Sequence, residues 1–314
     1  EMIGFNAGMR GTKGSPSEGG HRVPFFMRWP GGNISGGKDV DALSAHVDLL
    51  PTLAELCGID FNPTLTLDGT SLAAMIRGEE APDTSRMLIT DTQRIQWPKK
   101  GRNSCVMQGS WRLMMGTELY NIEDDHRQKT NVADMYPERV ARMQAFYDLW
   151  WSEIEPEMEY SYIDVGTEHQ DPVIITAHDV HAPSKVIPWN QGLIREGNKN
   201  PEGYFCIEVT TEGPYLVELA RWPFESGLTF EDSVSAVEGT YYRDGYPAGE
   251  GKQFEKAFVQ IVDGKTFSGS VDNKKQTAAV TCALPKGKHH MKFYFEDAAG
   301  NTTGAYYISV MKTD

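Results

Sequence analysis

Two short runs near the amino terminus decide how the chain is assigned to a fold: GMRGTKGS at residues 8–15 and EGGHRVP at residues 18–24. Glycine permits backbone conformations that other residues avoid and lets other groups approach closely. Gly11 and Gly14 flank Lys13, and this pattern predicts a loop that presents a compact cation. A phosphate-binding P-loop does not fit, because the order here is Thr-Lys-Gly-Ser and no strand is evident before the run.

An apolar segment and two helix patterns follow. Residues 23–29 (VPFFMRW) precede Pro30-Gly31-Gly32, which predicts a buried strand closed by a turn. Apolar residues at helical spacing predict a helix between Asp48, which can cap it, and Gly58, which can terminate it. A second short helix is predicted over residues 71–77.

A small antiparallel sheet covered by one helix is predicted next. Gly109-Ser110 lies between two strand-like runs and suits a two-residue hairpin loop. A helix from about Pro137 to Glu155 carries an apolar face that can cover the sheet. The predicted strands are residues 87–90, 105–108, 111–114 and 118–122.

A linker-like stretch around residues 156–172 leads to a region of strand patterns with almost no helix pattern. Turns separate its short runs at the spacing of a β-sandwich or jelly-roll. The predicted strands are residues 204–210, 215–220, 256–262, 277–283, 290–296 and 305–311. Its aromatic residues suit either carbohydrate stacking or strand cores. They include Trp189, Trp222, Tyr241, Tyr242 and Tyr246.

The composition excludes some partners. The chain has 314 residues, with 44 acidic and 30 basic side chains and a net charge of -14. Such a surface repels nucleic acid and anionic membranes, and an anionic substrate would need a local cluster of cations. The four cysteines form no CxxC pair and are interpreted as buried thiols rather than as zinc ligands or a disulfide frame. No membrane-spanning run or signal peptide is present, and the sequence opens at Glu1 as if it were cut from a longer chain.

The two runs quoted first resemble the second signature region of the sulfatase family, in which a lysine on a glycine-lined loop reaches the sulfate. Three further blocks resemble the same family in the same order, which lowers the risk of a chance match. They are HVDLLPTL at 46–53 with Gly58-Ile59, LDGTSL at 67–72, and WRL at 111–113 with ELYNI at 118–122 and NVA at 131–133. The resemblance covers roughly the first half of the chain.

The resemblance implies a fold like that of alkaline phosphatase, in which a mixed α/β core carries a smaller carboxy-terminal subdomain. The expected fold class is α/β plus β. Residues 1–80 are expected to end the catalytic core, residues 81–160 to form an α+β subdomain, and residues 170–314 to form an accessory β-sandwich. The chain would thus be a carboxy-terminal remnant of such a core with an added domain. A periplasmic or secreted location is also implied.

The family's nucleophile and metal are not expected in this chain. In the family, formylglycine made from a cysteine or serine attacks sulfur, and aspartates and an asparagine hold a calcium ion. The motif CxPxR is absent here, and the aspartate–asparagine pair would fall before Glu1. We therefore expect no metal ligand and no cofactor in the chain, and inactivity by itself. Its expected partner is the missing amino-terminal half of the sulfatase.

Three residues are candidate site residues. The resemblance makes Lys13 the catalytic residue, because a cation is needed where negative charge develops on the sulfate; the alternative is a solvated lysine in a turn. His21 is expected at the substrate pocket or at its rim, and Arg94 either pairs with an anionic substrate group or lies in a surface loop. Glu18 and Arg22 are interpreted as a structural ion pair rather than as a general acid or substrate clamp.

Three functions remain open from the sequence. The first is the carboxy-terminal portion of a sulfatase that hydrolyses aryl or sugar sulfates, with a sulfated small molecule or glycan as its ligand. The second is a non-catalytic module that binds carbohydrate or another subunit. The third is a phosphodiesterase or phosphonate hydrolase of the same superfamily, although the Glu-Gly-Gly context of Lys13 favours a sulfatase.

Overall fold

The chain divides after Met158 into two units, Glu1–Met158 and Glu159–Asp314, in a computed structural model. Both units combine helices with sheets, so the fold is mixed, as the sequence indicates. The structure describes residues 5–34, 36–60, 64, 66–93, 95–182, 190–197, 203–241 and 243–313. No helix in these ranges combines the length and the apolar character needed to cross a membrane.

The first unit opens with three short helices. They are α1 (Glu18–His21), α2 (Leu49–Leu56) and α3 (Ala73–Arg77). Both predicted helices, α2 and α3, are confirmed, and Gly58 adopts a positive φ of 65° just beyond α2. Asp48 occupies the N-cap position of α2 as expected, but its side chain forms no capping hydrogen bond there. Its buried carboxylate instead accepts hydrogen bonds from the Arg86 guanidinium and from the backbone N–H groups of Ala45 and Thr70.

An antiparallel sheet and a long helix complete the first unit. The strands are β1 (Met87–Asp91), β2 (Ser104–Gln108), β3 (Trp111–Met114) and β4 (Glu118–Asn121), in that order across the sheet. The helix is α4 (Pro137–Ile154). Its buried Met143, Tyr147 and Trp151 pack against Val106 and Leu113 of the sheet. The predicted strands, the hairpin at Gly109-Ser110 and the helix are confirmed.

The strand predicted over residues 23–29 is wrong. Residues 23–28 lie outside every described strand, and Trp29 forms a single bridge with Ile34. The side chains of Val23 and Phe26 are 76% and 90% exposed. A strand forms when neighbouring strands bind its backbone N–H and C=O groups. Within the described residues no strand pairs with this segment, so its apolar pattern alone is insufficient.

The second unit contains two sheets. Its strands are β5 (Ile163–Val165), β6 (Val173–Thr176), β7 (Phe205–Val209), β8 (Gly213–Ala220), β9 (Lys256–Ile261), β10 (Thr266–Ser270), β11 (Thr277–Leu284), β12 (Gly287–Glu296), β13 (Thr302–Gly304) and β14 (Tyr307–Lys312), and its helix is α5 (Gln191–Glu196). One sheet has the order β10-β9-β12-β7-β5 with β13 beside β12, and the other has the order β11-β8-β14-β6. The pair β5 and β7 is parallel, while the other described pairs are antiparallel.

One apolar core joins the two sheets of the second unit. Val259 and Phe293 from one sheet and Val217 and Val280 from the other belong to a single cluster of buried side chains. Buried and exposed residues alternate along β11, which is the pattern of a strand with one face toward a core. The six predicted strands are confirmed. The short elements β5, β6, β10, β13 and α5 are not among the predictions, because short runs give little periodicity.

Candidate active site

Lys13 lies in a tight turn of the glycine-rich loop. The Ser15 N–H donates a hydrogen bond to the Thr12 carbonyl at 2.9 Å, which closes a four-residue turn around Lys13 and Gly14. Gly14 has a φ of 88°, and a turn of this kind requires glycine at that position. The Lys13 side chain is exposed. Within the described residues, its ammonium group forms no hydrogen bond or ion pair.

Two more glycines allow the loop to pack against α1. The loop has two stems, the segment around Arg10 before Lys13 and the segment around Glu18 after it. The Gly19 N–H donates to the Arg10 carbonyl at 2.8 Å and so joins these stems. A Cβ atom at Gly19 would lie 2.4 Å from the Gly11 carbonyl oxygen, and one at Gly20 would lie 2.2 Å from the Ser15 carbonyl oxygen. Neither distance is sterically possible, so the loop requires glycine at both positions.

Arg10 fastens the first stem of the loop to the sheet. Its guanidinium donates to the Tyr120 hydroxyl at 2.9 Å, to the Gln128 carbonyl at 3.2 Å and to the Glu118 carboxylate at 3.4 Å. Tyr120 and Glu118 belong to β4, whose backbone is fixed by pairing with β3. The position of this stem is therefore set by a strand more than 100 residues away in sequence.

Glu18 fastens the second stem. Its buried carboxylate accepts hydrogen bonds from Arg112 Nε at 2.5 Å, from His21 Nε2 at 3.2 Å and from Arg22 at 3.4 Å. Burial alone would raise the pKa of Glu18, but the hydrogen bonds from His21 and Arg112 outweigh it and lower the pKa to about 2. Glu18 is therefore a charged anchor at neutral pH, and the predicted ion pair between Glu18 and Arg22 is present.

The structure places the three candidate site residues differently. Lys13 lies at the turn and has no partner in the described part of the chain. His21 Nε2 contacts Glu18, while its buried Nδ1 atom has no hydrogen-bond partner among the described residues. This contact ties His21 to the anchor of the loop, and its contact with a substrate stays a prediction. Arg94 lies outside the described residues.

Sequence reasoning missed a segment that contacts the same loop. A nitrogen of the His126 ring, Nε2, lies 2.9 Å from the carbonyl oxygen of Ala7. The Arg127 guanidinium lies over Gly8, where a Cβ atom would be 3.6 Å from two of its nitrogens. The polar run from His126 to Lys129 directly follows β4 and the turn after it, and this position at a strand end was the available signal.

The ion pairs that anchor the loop contain more positive than negative charge, although the chain is acidic. The single charge of Glu18 is shared by Arg112 and Arg22, and Glu118 pairs with Arg10. One positive charge is thus left over among these groups, and Lys13 and the exposed Arg127 add to it. A local surplus of this kind can attract an anion against the net charge of -14.

The described residues offer no metal centre. No group of three or more His, Cys, Asp and Glu side chains in the described part of the chain could hold a metal ion. Cys57 is exposed next to α2, whereas Cys105, Cys206 and Cys282 are buried in sheets. Burial raises the pKa of Cys105 to about 12, so this thiol stays protonated and inert. These residues therefore do not fit the calcium site of the family.

Comparisons with known proteins find similarity to sulfatases in the part of the chain that contains the loop. A sequence model of the sulfatase family matches residues 2–59. Steryl-sulfatase of Mus musculus is 38% identical over 78 residues, which cover 25% of this chain and 12% of that protein. Arylsulfatase A of Bos taurus is 43% identical over 70 residues, which cover 22% of this chain and 13% of that protein. The amino-terminal part of the chain is similar to sulfatases, and the match spans about an eighth of the length of these relatives.

A solved structure of a ruminal GH26 endo-beta-1,4-mannanase shows a distant likeness. It is 14% identical, with a TM-score of 0.25, and the superposition covers 49% of this chain and 27% of that one. A likeness at this level supports no inference about fold or function.

Proposed function

We propose that the chain is part of a sulfatase that hydrolyses aryl or sugar sulfates, and that Lys13 is the catalytic residue it contributes. One observation carries the proposal. The loop is fastened on both sides of Lys13, by Arg10 and by Glu18, while the Lys13 ammonium has no described partner. A cation held in place but left unpaired is what a bound anion requires.

The chemistry assigned to Lys13 is electrostatic. When the bond between sulfur and the ester oxygen breaks, negative charge grows on the sulfuryl oxygens and on the leaving oxygen. An ammonium group placed beforehand beside these oxygens stabilises that charge without reorganisation. His21 and Arg94 are proposed to contact the substrate, a sulfated small molecule or glycan. The formylglycine nucleophile and the calcium ion are proposed to belong to the amino-terminal part of the sulfatase.

Exposed apolar residues in the first unit support the proposal that a further part of the catalytic domain covers them. Leu50 and Leu53 are 54% and 48% exposed on α2, although they belong to the apolar stripe of that helix. Val23 and Phe26 are also exposed, in an apolar segment that forms no described strand. Apolar stripes normally face a core, so these residues favour a covering segment that supplies the missing neighbours. We propose that this segment is the amino-terminal half of the sulfatase.

The remaining features of the proposal concern the second unit and the location. The two-sheet unit is proposed to be an accessory β-sandwich domain. Of its aromatic residues, Trp222 is buried, which suits a core residue, whereas Tyr241 is exposed. By family resemblance, the enzyme is proposed to act in the periplasm or outside the cell. Glycan binding by the second unit alone, without sulfatase activity of the complete protein, would favour a binding module instead.

The test uses the chain joined to an amino-terminal sulfatase half that carries formylglycine and calcium. We expect this protein to hydrolyse an aryl sulfate, and Lys13→Ala to lower kcat by about 10²-fold or more, because a charge-stabilising group is removed. The matched control is Lys286→Ala, at an exposed lysine in the second unit, which should leave kcat unchanged. An unchanged rate in Lys13→Ala would refute the role of Lys13. Preference for a phosphodiester over a sulfate ester would favour the related hydrolases.

A further inference from the structure

One short segment after β4 contacts the lysine loop on both sides of Lys13. The segment is residues 126–128. Before Lys13 it reaches Ala7 through the His126 ring, Gly8 through the Arg127 guanidinium and Arg10 through the Gln128 carbonyl. After Lys13 it reaches Glu18, because the Gln128 side-chain oxygen accepts a hydrogen bond from the Glu18 N–H at 3.0 Å.

Gln128 is the member of this segment that binds both stems at once. Its backbone carbonyl accepts from Arg10 at 3.2 Å, while its side chain accepts from Glu18. The residue is 2% exposed, and its side-chain NH₂ points at the sulfur of Met114, 3.4 Å away. Glu18 is buried too, so its N–H would lack any partner if the Gln128 oxygen were removed. Such a loss is costly in a buried site.

The backbone of Gln128 is held in an unusual conformation. Its φ is 48°, a left-handed value that residues other than glycine adopt rarely. The preceding Asp125 fixes it: its carbonyl accepts from the Gln128 N–H at 2.9 Å, and its carboxylate accepts from the N–H groups of Lys129 and Thr130 at 2.6 and 2.7 Å. The turn therefore directs the Gln128 side chain inward, and its neighbours maintain the strained residue.

We infer that Gln128 is a positioning residue for Lys13, and that it acts by fixing the distance between the Arg10 and Glu18 stems of the lysine loop. The catalytic consequence rests on the proposed function, whereas the structural consequence does not. If Gln128 lost its side-chain oxygen, the stems would separate more often and the Lys13 turn between them would sample more positions. A misplacement of about 1 Å can lower catalysis by about 10²-fold.

Hydrogen exchange on the 314-residue chain tests the structural part. Gln128→Met keeps the volume of the side chain and removes its oxygen. We expect the Ser15 and Gly19 amides, which bridge the loop, to exchange about tenfold faster, because local opening becomes easier. The amides of β2 and β3 should be unchanged. Equal loop protection in Gln128→Met and the unmodified chain would overturn the inference.

The matched control is Gln108→Met. Gln108 is also buried in the first unit, and its side chain accepts from Arg139 and Arg142, both at 3.0 Å. This variant should not speed the exchange of the loop amides, and an equal effect of both variants would indicate a general loss of stability. If Gln128→Met unfolds the unit, Gln128→Glu decides, because it retains an oxygen acceptor. Loop protection in that variant supports the inference, and its loss contradicts it.

A double-mutant cycle in the complete enzyme tests the catalytic part. Gln128→Met should lower kcat for an aryl sulfate about tenfold while KM changes less than about twofold, because the effect passes through the position of Lys13. In a Lys13→Ala background, Gln128→Met should then have no further effect. Independent, multiplying effects would contradict positioning. If Lys13→Ala alone leaves kcat unchanged, the proposed role of Lys13 fails, and the exchange result still tests the role of Gln128 in the loop.

Discussion

The lysine loop and the two-sheet unit are held together by different forces. In the two-sheet unit, apolar side chains from both sheets, such as Val217 and Phe293, are buried in one cluster. Around the loop, by contrast, Phe5 and Phe26 are 97% and 90% exposed, and the contacts that fix it are ion pairs and hydrogen bonds to Arg10 and Glu18.

This difference separates stability from placement. The free energy gained by burying apolar surface is roughly proportional to the buried area and does not depend on direction. It therefore favours a compact unit, but it does not fix a single side chain to a fraction of an ångström. Charge-assisted hydrogen bonds are short and directional, and several of them acting together define one geometry. Under the proposed role of Lys13, the loop needs the second kind of contact more than the first.

The largest expected effect is the truncation of a core aromatic residue. Phe295 is fully buried and packs against Phe254 and Phe230, with ring centroids 4.7 and 5.1 Å apart. Phe295→Ala should lower the free energy of unfolding of the second unit by about 4 kcal/mol in denaturant titrations. Phe26→Ala, at an exposed phenylalanine of the loop region, should change the stability of the chain by less than about 0.5 kcal/mol. Equal losses in the two variants would erase the contrast.

The next effect breaks the anchor of the loop. Arg112→Ala leaves the Glu18 carboxylate buried without its closest cation, and this should cost the first unit about 3 kcal/mol. The control is Arg77→Ala, because Arg77 pairs with Glu55 at 3.7 Å on a partly exposed surface. That pair should contribute about 1 kcal/mol or less. A small loss in Arg112→Ala would mean that the loop depends on the sheet in another way.

Acid should affect the two regions in different pH ranges. The pKa of Glu18 is lowered in the folded chain from 4.5 to about 2. Its contribution to the free energy of unfolding is therefore complete above pH 4.5 and is lost as the pH falls toward 2. By pH 3 the first unit should lose about 2 kcal/mol. In the second unit, burial together with the charge of His290 lowers the pKa of His181. The contribution of neutral His181 to the free energy of unfolding is present above pH 6.5, the ordinary pKa of histidine, and is lost at lower pH.

Separate probes can follow these two pH ranges. Exchange of the β2 and β3 amides reports on the first unit, and exchange of the β8 and β14 amides reports on the second. Glu18→Gln should remove the step below pH 4.5, and His181→Gln should remove the weaker one that begins near pH 6.5. A second unit whose protection stays constant from pH 7 to pH 5 would argue against any contribution of His181.

Much of the fold could be predicted from local patterns. Some elements can be recognised from one continuous run of residues. They include the hairpin at Gly109-Ser110, the helix α4 and the alternating strand β11. The strand predicted at residues 23–29 shows the limit of such reasoning. An apolar run indicates that a segment can be buried in a sheet, but it carries no information about whether neighbouring strands are present to bind its backbone.

The candidate site likewise combines residues that a local pattern reveals with residues that lie far away in the sequence. Lys13 and the Glu18–Arg22 pair were within reach of sequence reasoning, because they lie within one short run of residues. Arg112 and Gln128 contact that run from 94 and 110 residues farther along the chain. No periodicity connects positions so far apart, so such contacts become visible when the chain has folded.

The shared carboxylate of Glu18 also affects how an anion would meet the protein at different ionic strengths. At physiological salt, charges farther away than about 8 Å are largely screened. The distant acidic residues, which give the chain its charge of -14, are then mostly hidden from a sulfate ester at the loop. The surplus positive charge among the groups that anchor the loop, by contrast, is local to the proposed site. Salt would therefore weaken the long-range repulsion more than the short-range attraction, so the net charge of the chain does not prevent an anion from binding at the loop.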